Sequence, residues 1–375
     1  MNNVYVFGAG ASKHVGGPLT CSFLLEGFSS RCFDSCGDMP DIPAESAAKF
    51  ERVAELVDLL YGSEISSALG NAVNDGCLRF CPSAMPACTV EDLLTFVDLA
   101  VANEESWLPF DEYQAALHDF IFETLDYTTR MHYSDSLKTN TDGTLDHRRN
   151  CYDRLIDYRI SLEDQNCFIT FNYDLFLDEA VSINNHDLLG DYNLRFAEVH
   201  YFPDYRERFL EGNRLSKDVD ILKLHGSLNW SRCSVCNALF LAYHDTYKAV
   251  RKRQCPTCGR SLKPVLVPPT HRKELEGYGI GRIWEKAAES IERADTITVI
   301  GYSFPDADIE AKWLFKSSVA RGGKKPKLVL VDPSRSTRLR IAGLFAKTVR
   351  EGPEFECFEQ FCESNVTATA KSSAF

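Results

Sequence analysis

Four cysteines supply the clearest chemistry in the chain. "CSVC" places Cys233 and Cys236 on one short turn, and "CPTC" places Cys255 and Cys258 on another, with 18 residues between the pairs. Each CxxC turn can aim two thiolates at one tetrahedral ion, so the spacing predicts a bound Zn2+. Four sulfurs leave no open coordination position, which makes that zinc structural. Chance cysteines or a redox pair are the competing readings, and neither explains two pairs together.

A second set of groups is chemically mixed. "TFNYD" ends an apolar run with Asn172 and Asp174, and "KLHGSLNW" ends another with His225. An imidazole with an unperturbed pKa near neutrality can take a proton from a hydroxyl or from water. An amide can fix a water without titrating, and a carboxylate can stabilise a cationic carbon. A single histidine is more often a hydrogen-bonded structural residue. Here all three groups close short apolar strands and are expected to converge at the rim of one sheet.

Glycine turns complete the inventory. "VYVFGAGAS" runs from a strand into Gly8, Gly10 and Ser12, the pattern of a phosphate cradle at a strand-to-helix turn. "GYSFPDAD" at Gly301 to Asp308 is another such turn, and "VDP" ends a later strand on Asp332. That aspartate suits a ribose hydroxyl, with a structural turn as the close alternative.

These residues need elements to hold them. Short, strongly apolar runs at "CFITFNYD", "VDILKLHGS", "PVLVPP", "TITVIGYSF" and "KLVLVDP" read as buried parallel strands. Stretches such as "IGRIWEKAAESIERA" between them carry helical spacing. The expected fold is α/β: a Rossmann-like doubly wound parallel sheet from residues 1–39 and 166–375, with a helical insertion over 40–165 and a zinc module over 229–264. Within the insertion Phe50, Val53, Leu56, Val57 and Leu60 share a helix face that Gly62 should end, and Thr89 with Asp92 predicts a capping box. "SLKTNTDGTLDHRR" reads as a polar loop.

Composition sets outer limits. Apolar residues at 44% and charged residues at 25% suit an ordinary globular protein, and a net charge of −13 disfavours a polyanionic substrate, so no direct nucleic-acid substrate is expected. No apolar run is long enough to cross a bilayer, and the N-terminus lacks the order of a signal peptide. The chain is expected to be cytoplasmic with mostly reduced thiols.

"GAGAS" at Gly8 to Ser12, "TFNYD", "LHG" at Leu224 to Gly226, the paired CxxC turns and "GYS" at Gly301 to Ser303, in this order, resemble the sirtuin superfamily. The resemblance implies NAD as the bound molecule. Gly8, Ala9, Gly10 and Ser12 would cover the pyrophosphate, with Ala11 and Thr20 among the cofactor-binding residues. Asn172 would position ribose and water, Asp174 would lie near the nicotinamide, and His225 would be the general base. Gly301, Tyr302 and Ser303 would contact ribose and phosphates, with Asp332 as the candidate ribose acid.

The chain also departs from the deacylases of that superfamily. "GGPLTCSF" follows the first loop where they carry a proline-aspartate-phenylalanine-arginine run, and Phe171 stands where they have glutamine. The consecutive prolines of "PVLVPPTHRKE" are unsuited to pairing with a substrate peptide. "LKLHGSLNW" with "GYSFPDADIEAKWLF" is instead similar to the SIR2-like branch of bacterial antiphage defence. That resemblance implies NAD as a consumed substrate, hydrolysed to nicotinamide and ADP-ribose. It also implies a homo-oligomer and a protein partner such as a HerA-type ATPase or a short Argonaute. With "TATAKSSAF" read as a loose tail, no fused sensor is expected. A protein deacylase and a non-catalytic NAD or ADP-ribose sensor are the alternatives; a dehydrogenase fits less well because the first loop lacks full GxGxxG spacing.

Overall fold

The computed structural model describes residues 1–34, 44–62, 89–139, 145–147, 150–160, 162, 164–184, 189–200, 215–242, 254–267 and 279–364. The "TATAKSSAF" tail, the prolines at 268 and 269 and the basic residues 251–253 lie outside them. Thirteen strands are described. They are β1 (Asn2–Phe7), β2 (Leu137–Thr139), β3 (Leu145–His147), β4 (Gln165–Thr170), β5 (Leu189–Asp191), β6 (Glu198–His200) and β7 (Leu215–Lys223), followed by β8 (Gly226–Cys233), β9 (Leu239–Ala242), β10 (Leu262–Leu266), β11 (Thr296–Ile300), β12 (Lys327–Val331) and β13 (Arg350–Phe355).

Seven of them form one sheet in the order β13-β12-β11-β1-β4-β7-β5, every pairing parallel. The apolar runs of the sequence are these strands. From Val4 to Phe7, Cys167 to Thr170, Ile297 to Ile300 and Leu328 to Val331 every residue is buried, because both faces of a parallel sheet are covered. The helix Gly281–Arg293 packs through Ile283, Trp284, Ala287 and Ile291, which share one face at helical spacing, and Trp284 Nε1 donates to Leu224 O at 3.2 Å. Asp308 caps the helix Ile309–Arg321 and Ser334 caps Arg335–Phe345. This is the expected α/β, Rossmann-like architecture.

The strand order fixes where a ligand can sit. From β1 the chain goes on to β4 on one side, and only later does β11 join on the other. The order reverses there, and the C-terminal ends of β11, β1 and β4 frame the crevice that such sheets use for ligands.

A smaller sheet, β10-β8-β9-β6, carries the paired cysteine turns. The "SLKTNTDGTLDHRR" stretch, expected to be a loop, contains the antiparallel pair β2 and β3.

The chain divides into two compact units. One contains Met1–His14 and Ser136–Val267 together with Glu274–Phe375, and so all three described sheets; the helix Cys151–Ile160, which the sequence reading placed in the insertion, belongs to it. Most of the other is Val15–Asp135. There the helix Ala44–Tyr61 buries Phe50, Val53, Leu56 and Val57 and ends at Gly62, whose φ of 87° only glycine adopts cheaply. The capping box of Thr89 and Asp92 is present at the start of Val90–Ala102. No helix among the described residues is long and apolar enough to cross a membrane.

Candidate active site

The loop after β1 and the loop after β11 are locked together through their backbones. Gly8 N donates to Ile300 O at 3.1 Å and Gly10 N to Gly301 O at 2.9 Å. A Cβ on Gly301 would lie 2.2 Å from Ala11 N, and one on Gly8 would lie 2.6 Å from Tyr302 Cα. These glycines are therefore explained by loop-on-loop contact. Gly8 is followed at once by the helical turn Ala9–Ser12. On the other side, Gly301 and Phe304 both have positive φ, and Arg340 donates to Ser303 O and Phe304 O at 2.5 and 3.1 Å. The second loop is over-determined, as a residue held in the left-handed region requires.

Beneath this pair of loops lies a buried polar network centred on Ser12. Asn172 Nδ2 donates to Gly8 O at 2.9 Å and to Ser12 Oγ at 3.0 Å. Ser12 Oγ donates to Asp174 Oδ2 at 2.6 Å and lies 2.8 Å from the Tyr152 hydroxyl. A serine hydroxyl has one proton and two lone pairs, so Ser12 gives its proton to Asp174 and accepts from Asn172 and Tyr152. Burial holds the Tyr152 phenol well above its usual range, which keeps it the donor. Burial also pushes the Asp174 carboxyl up, against the opposing pull of the Lys223 ammonium and the Ser12 hydroxyl.

Lys223 supports this network from the end of β7. Its Nζ donates to Asp174 O at 2.5 Å and to Asp178 Oδ2 at 2.7 Å, and Tyr192 donates to Asp178 Oδ1 at 2.6 Å. A buried ammonium is tolerated where a carboxylate pairs with it, as Asp178 does here.

His225 follows two residues later. Its Nε2 is 3.3 Å from Asp308 Oδ2, and Tyr302 donates to the same oxygen at 2.6 Å. Phe171 stacks on Tyr302 with centroids 4.0 Å apart and meets the His225 ring edge-on at 5.1 Å. Gly226 has a φ of 88°, and a Cβ there would lie 2.1 Å from Val265 O.

Of the expected site residues, Gly8 to Ser12, Asn172, Asp174, His225, Gly301, Tyr302 and Ser303 all stand at C-terminal ends of the large sheet. Asp332 ends β12, where its Oδ1 accepts from Ser334 N at 2.8 Å, the geometry of a turn. Thr20 lies in the other unit and donates to Glu91 Oε1 at 3.4 Å. Sequence reasoning missed Tyr152, Lys223 and Asp308. Lys223 had a signal, a lysine inside an apolar strand run; Asp308 had one as an acid just before a helix; Tyr152 had none.

The cysteine turns are near copies of one another. Asn237 N donates to Cys233 O at 3.2 Å and Gly259 N to Cys255 O at 2.8 Å, with φ of 57° and 70° at the two donors. Sulfur pairs stand 3.2, 3.5 and 3.9 Å apart. A tetrahedron with Zn–S bonds of about 2.3 Å has edges of about 3.8 Å, so the four thiols fit a zinc ion. Backbone N–H groups of Cys236 and Val235 bring the Cys233 thiol down to about 6, toward the ligating thiolate.

Residues 166–349 match the family model of the SIR2-like domain, a span that holds Asn172, Asp174, His225, Asp308 and all four clustered cysteines. That match supports the resemblance to the sirtuin superfamily. No curated protein matches the chain. Similar solved structures include a variant Sir2 homologue with ADP-ribose (18% identity over 60% of this chain and 68% of that one, TM-score 0.37). A Sir2 homologue with NAD is 18% identical over 59% of this chain and 64% of that one, with a TM-score of 0.35. A Sir2 complex with a p53 peptide and NAD+ is 13% identical over 98% of this chain and 93% of that one, with a TM-score of 0.42.

Proposed function

We propose that this protein is an NAD+ glycohydrolase. The observation that carries the reading is the buried assembly of Asn172, Ser12 and Asp174 together with the His225–Asp308 pair, at the C-terminal ends of the large sheet's strands, beneath the interlocked glycine loops. Hydrolysis breaks the bond between the nicotinamide nitrogen and ribose C1′, and the bonding electrons leave with the nicotinamide. Water adds to C1′ and its proton passes to His225, giving ADP-ribose. The positive charge that develops on the ribose suits a site with a buried carboxylate, and positioning supplies most of the rest. Asn172 keeps its amide oxygen for the water or a ribose hydroxyl.

Hydrolysis is favoured over deacylation by the strand that would have to receive a peptide. The N–H of Val267 already donates to His225 O at 2.7 Å, and its carbonyl accepts from Tyr173 at 2.8 Å. NAD depletion in bacterial antiphage defence, a cytoplasmic setting, assembly as a homo-oligomer and a HerA-type or short-Argonaute partner are parts of the same proposal, carried by the sequence resemblance.

The test is nicotinamide and ADP-ribose release from NAD by the purified chain, alone and with proteins encoded beside it, with particle mass recorded in parallel. His225→Ala should abolish turnover while far-ultraviolet circular dichroism is unchanged. Equal turnover in that variant removes His225 from the mechanism, and NAD binding without turnover in every condition turns the reading to a sensor.

A further inference from the structure

A second group of metal-binding side chains lies apart from the four cysteines. His14, Cys151 and Glu359 offer one nitrogen, one sulfur and one carboxylate oxygen, all within 4.8 Å of one another. They come from three distant stretches of chain: the turn after Ala9–Ser12, the first residue of the helix Cys151–Ile160, and residues 358–364 near the end. The nitrogen His14 turns toward the group is Nε2, which accepts from Cys151 N at 3.3 Å. Tyr152 and Phe358 pack against the His14 ring at 6.1 and 5.8 Å and hold it in place.

A cysteine beside a histidine and a carboxylate could also be a nucleophile. Cys151 is unsuited to that role, because its thiol is buried and a hydrogen bond with Cys362 together with burial pushes its proton affinity up. A metal ion draws that proton off, and a thiolate with a carboxylate balances its two charges.

We infer that His14, Cys151 and Glu359 form a second, three-ligand zinc site, with a water completing the tetrahedron. Mixed nitrogen, sulfur and oxygen donors suit zinc, and His14 and Glu359 are accessible enough to admit it. Tetrahedral zinc with one nitrogen, one sulfur and one oxygen donor has edges of about 3.3–3.6 Å, a size that a cluster confined within 4.8 Å can close around. The ion would fasten the chain just after Ser12 to the residue just before Tyr152, the two side chains that meet in the polar network. The inference stands independently of NAD hydrolysis.

Metal content decides it. The intact chain, purified with a non-thiol reductant and dialysed against limited zinc, is compared with Cys151→Ala and Glu359→Gln by mass spectrometry of the metal. Each variant is expected to hold one equivalent fewer than the intact chain, whatever the occupancy of the four-cysteine site. Should Cys151→Ala fail to fold, Glu359→Gln still decides, since its side chain is part exposed and near-isosteric. Cobalt loading gives a second readout: the intact-minus-variant spectrum should show weaker sulfur-to-metal charge transfer than a four-sulfur site. Equal metal content in the intact chain and in folded Glu359→Gln overturns the inference.

Discussion

Asp308 Oδ2 and His225 Nε2 stand 3.3 Å apart with both side chains buried, and the same aspartate begins the helix Ile309–Arg321 through its other oxygen. A carboxylate only accepts, so this contact favours the tautomer with the ring proton on Nε2. Asp308→Asn preserves the shape and the helix cap. It should lower kcat for nicotinamide release by about 100-fold, within the range of general-base catalysis, and leave KM within about threefold. Steady-state kinetics check this; unchanged kcat would leave Asp308 as a helix cap alone.

Ser12 joins three buried partners, Asp174, Asn172 and Tyr152. Tyr152→Phe should cost about 1 kcal/mol, the net worth of one hydrogen bond, because Ser12 keeps its other two. Ser12→Ala should cost more, about 2–3 kcal/mol, since it strips a partner from Asp174, Asn172 and Tyr152 together. Urea unfolding of the two variants gives the order, and equal costs would contradict the hub.

The raised carboxyl of Asp174 makes stability depend on pH with a definite sign. Its native state holds the proton at pH values where the unfolded chain, with an ordinary aspartate near 3.9, has lost it. This group therefore removes stability as pH rises from the unfolded value through the folded one. Asp174→Asn cannot ionise and still accepts from Ser12, so its stability relative to the native protein should improve across that window and be flat above it. Paired urea titrations from acid to neutral pH measure the difference, and a difference that shrinks as pH rises would reverse the sign.

The strands, the capping box and the paired cysteine turns were legible because each depends on residues close in sequence: apolar runs, Thr89 with Asp92, and CxxC spacing. Asn172, Asp174 and His225 were legible as candidates because they close strands. Their partners were not. Asp308 reaches His225 across 83 residues and Tyr152 reaches Ser12 across 140, and a tyrosine inside a helix carries no mark of what it will face after folding. The glycine loop shows the same limit. Its spacing suggested a bare phosphate cradle, while the structure uses Gly8, Gly10 and Gly301 to let two loops touch.

That contact can be tested against a control within the same unit. Gly301 and Gly323 have nearly equal positive φ, 59° and 67°, so alanine at either pays the same left-handed penalty of about 1–2 kcal/mol. Their surroundings differ. Nothing lies within 4 Å of a Cβ on Gly323, but a Cβ on Gly301 meets Ala11 N at 2.2 Å and Gly10 C at 2.4 Å. Those atoms are backbone fixed by the Gly10 to Gly301 hydrogen bond, so they cannot yield without opening the site. Gly301→Ala should therefore lose at least about 2 kcal/mol more than Gly323→Ala, in line with overpacking, and should abolish NAD turnover while Gly323→Ala retains it. Thermal unfolding and nicotinamide release measured on both variants decide the point: equal losses would mean that the two loops separate freely.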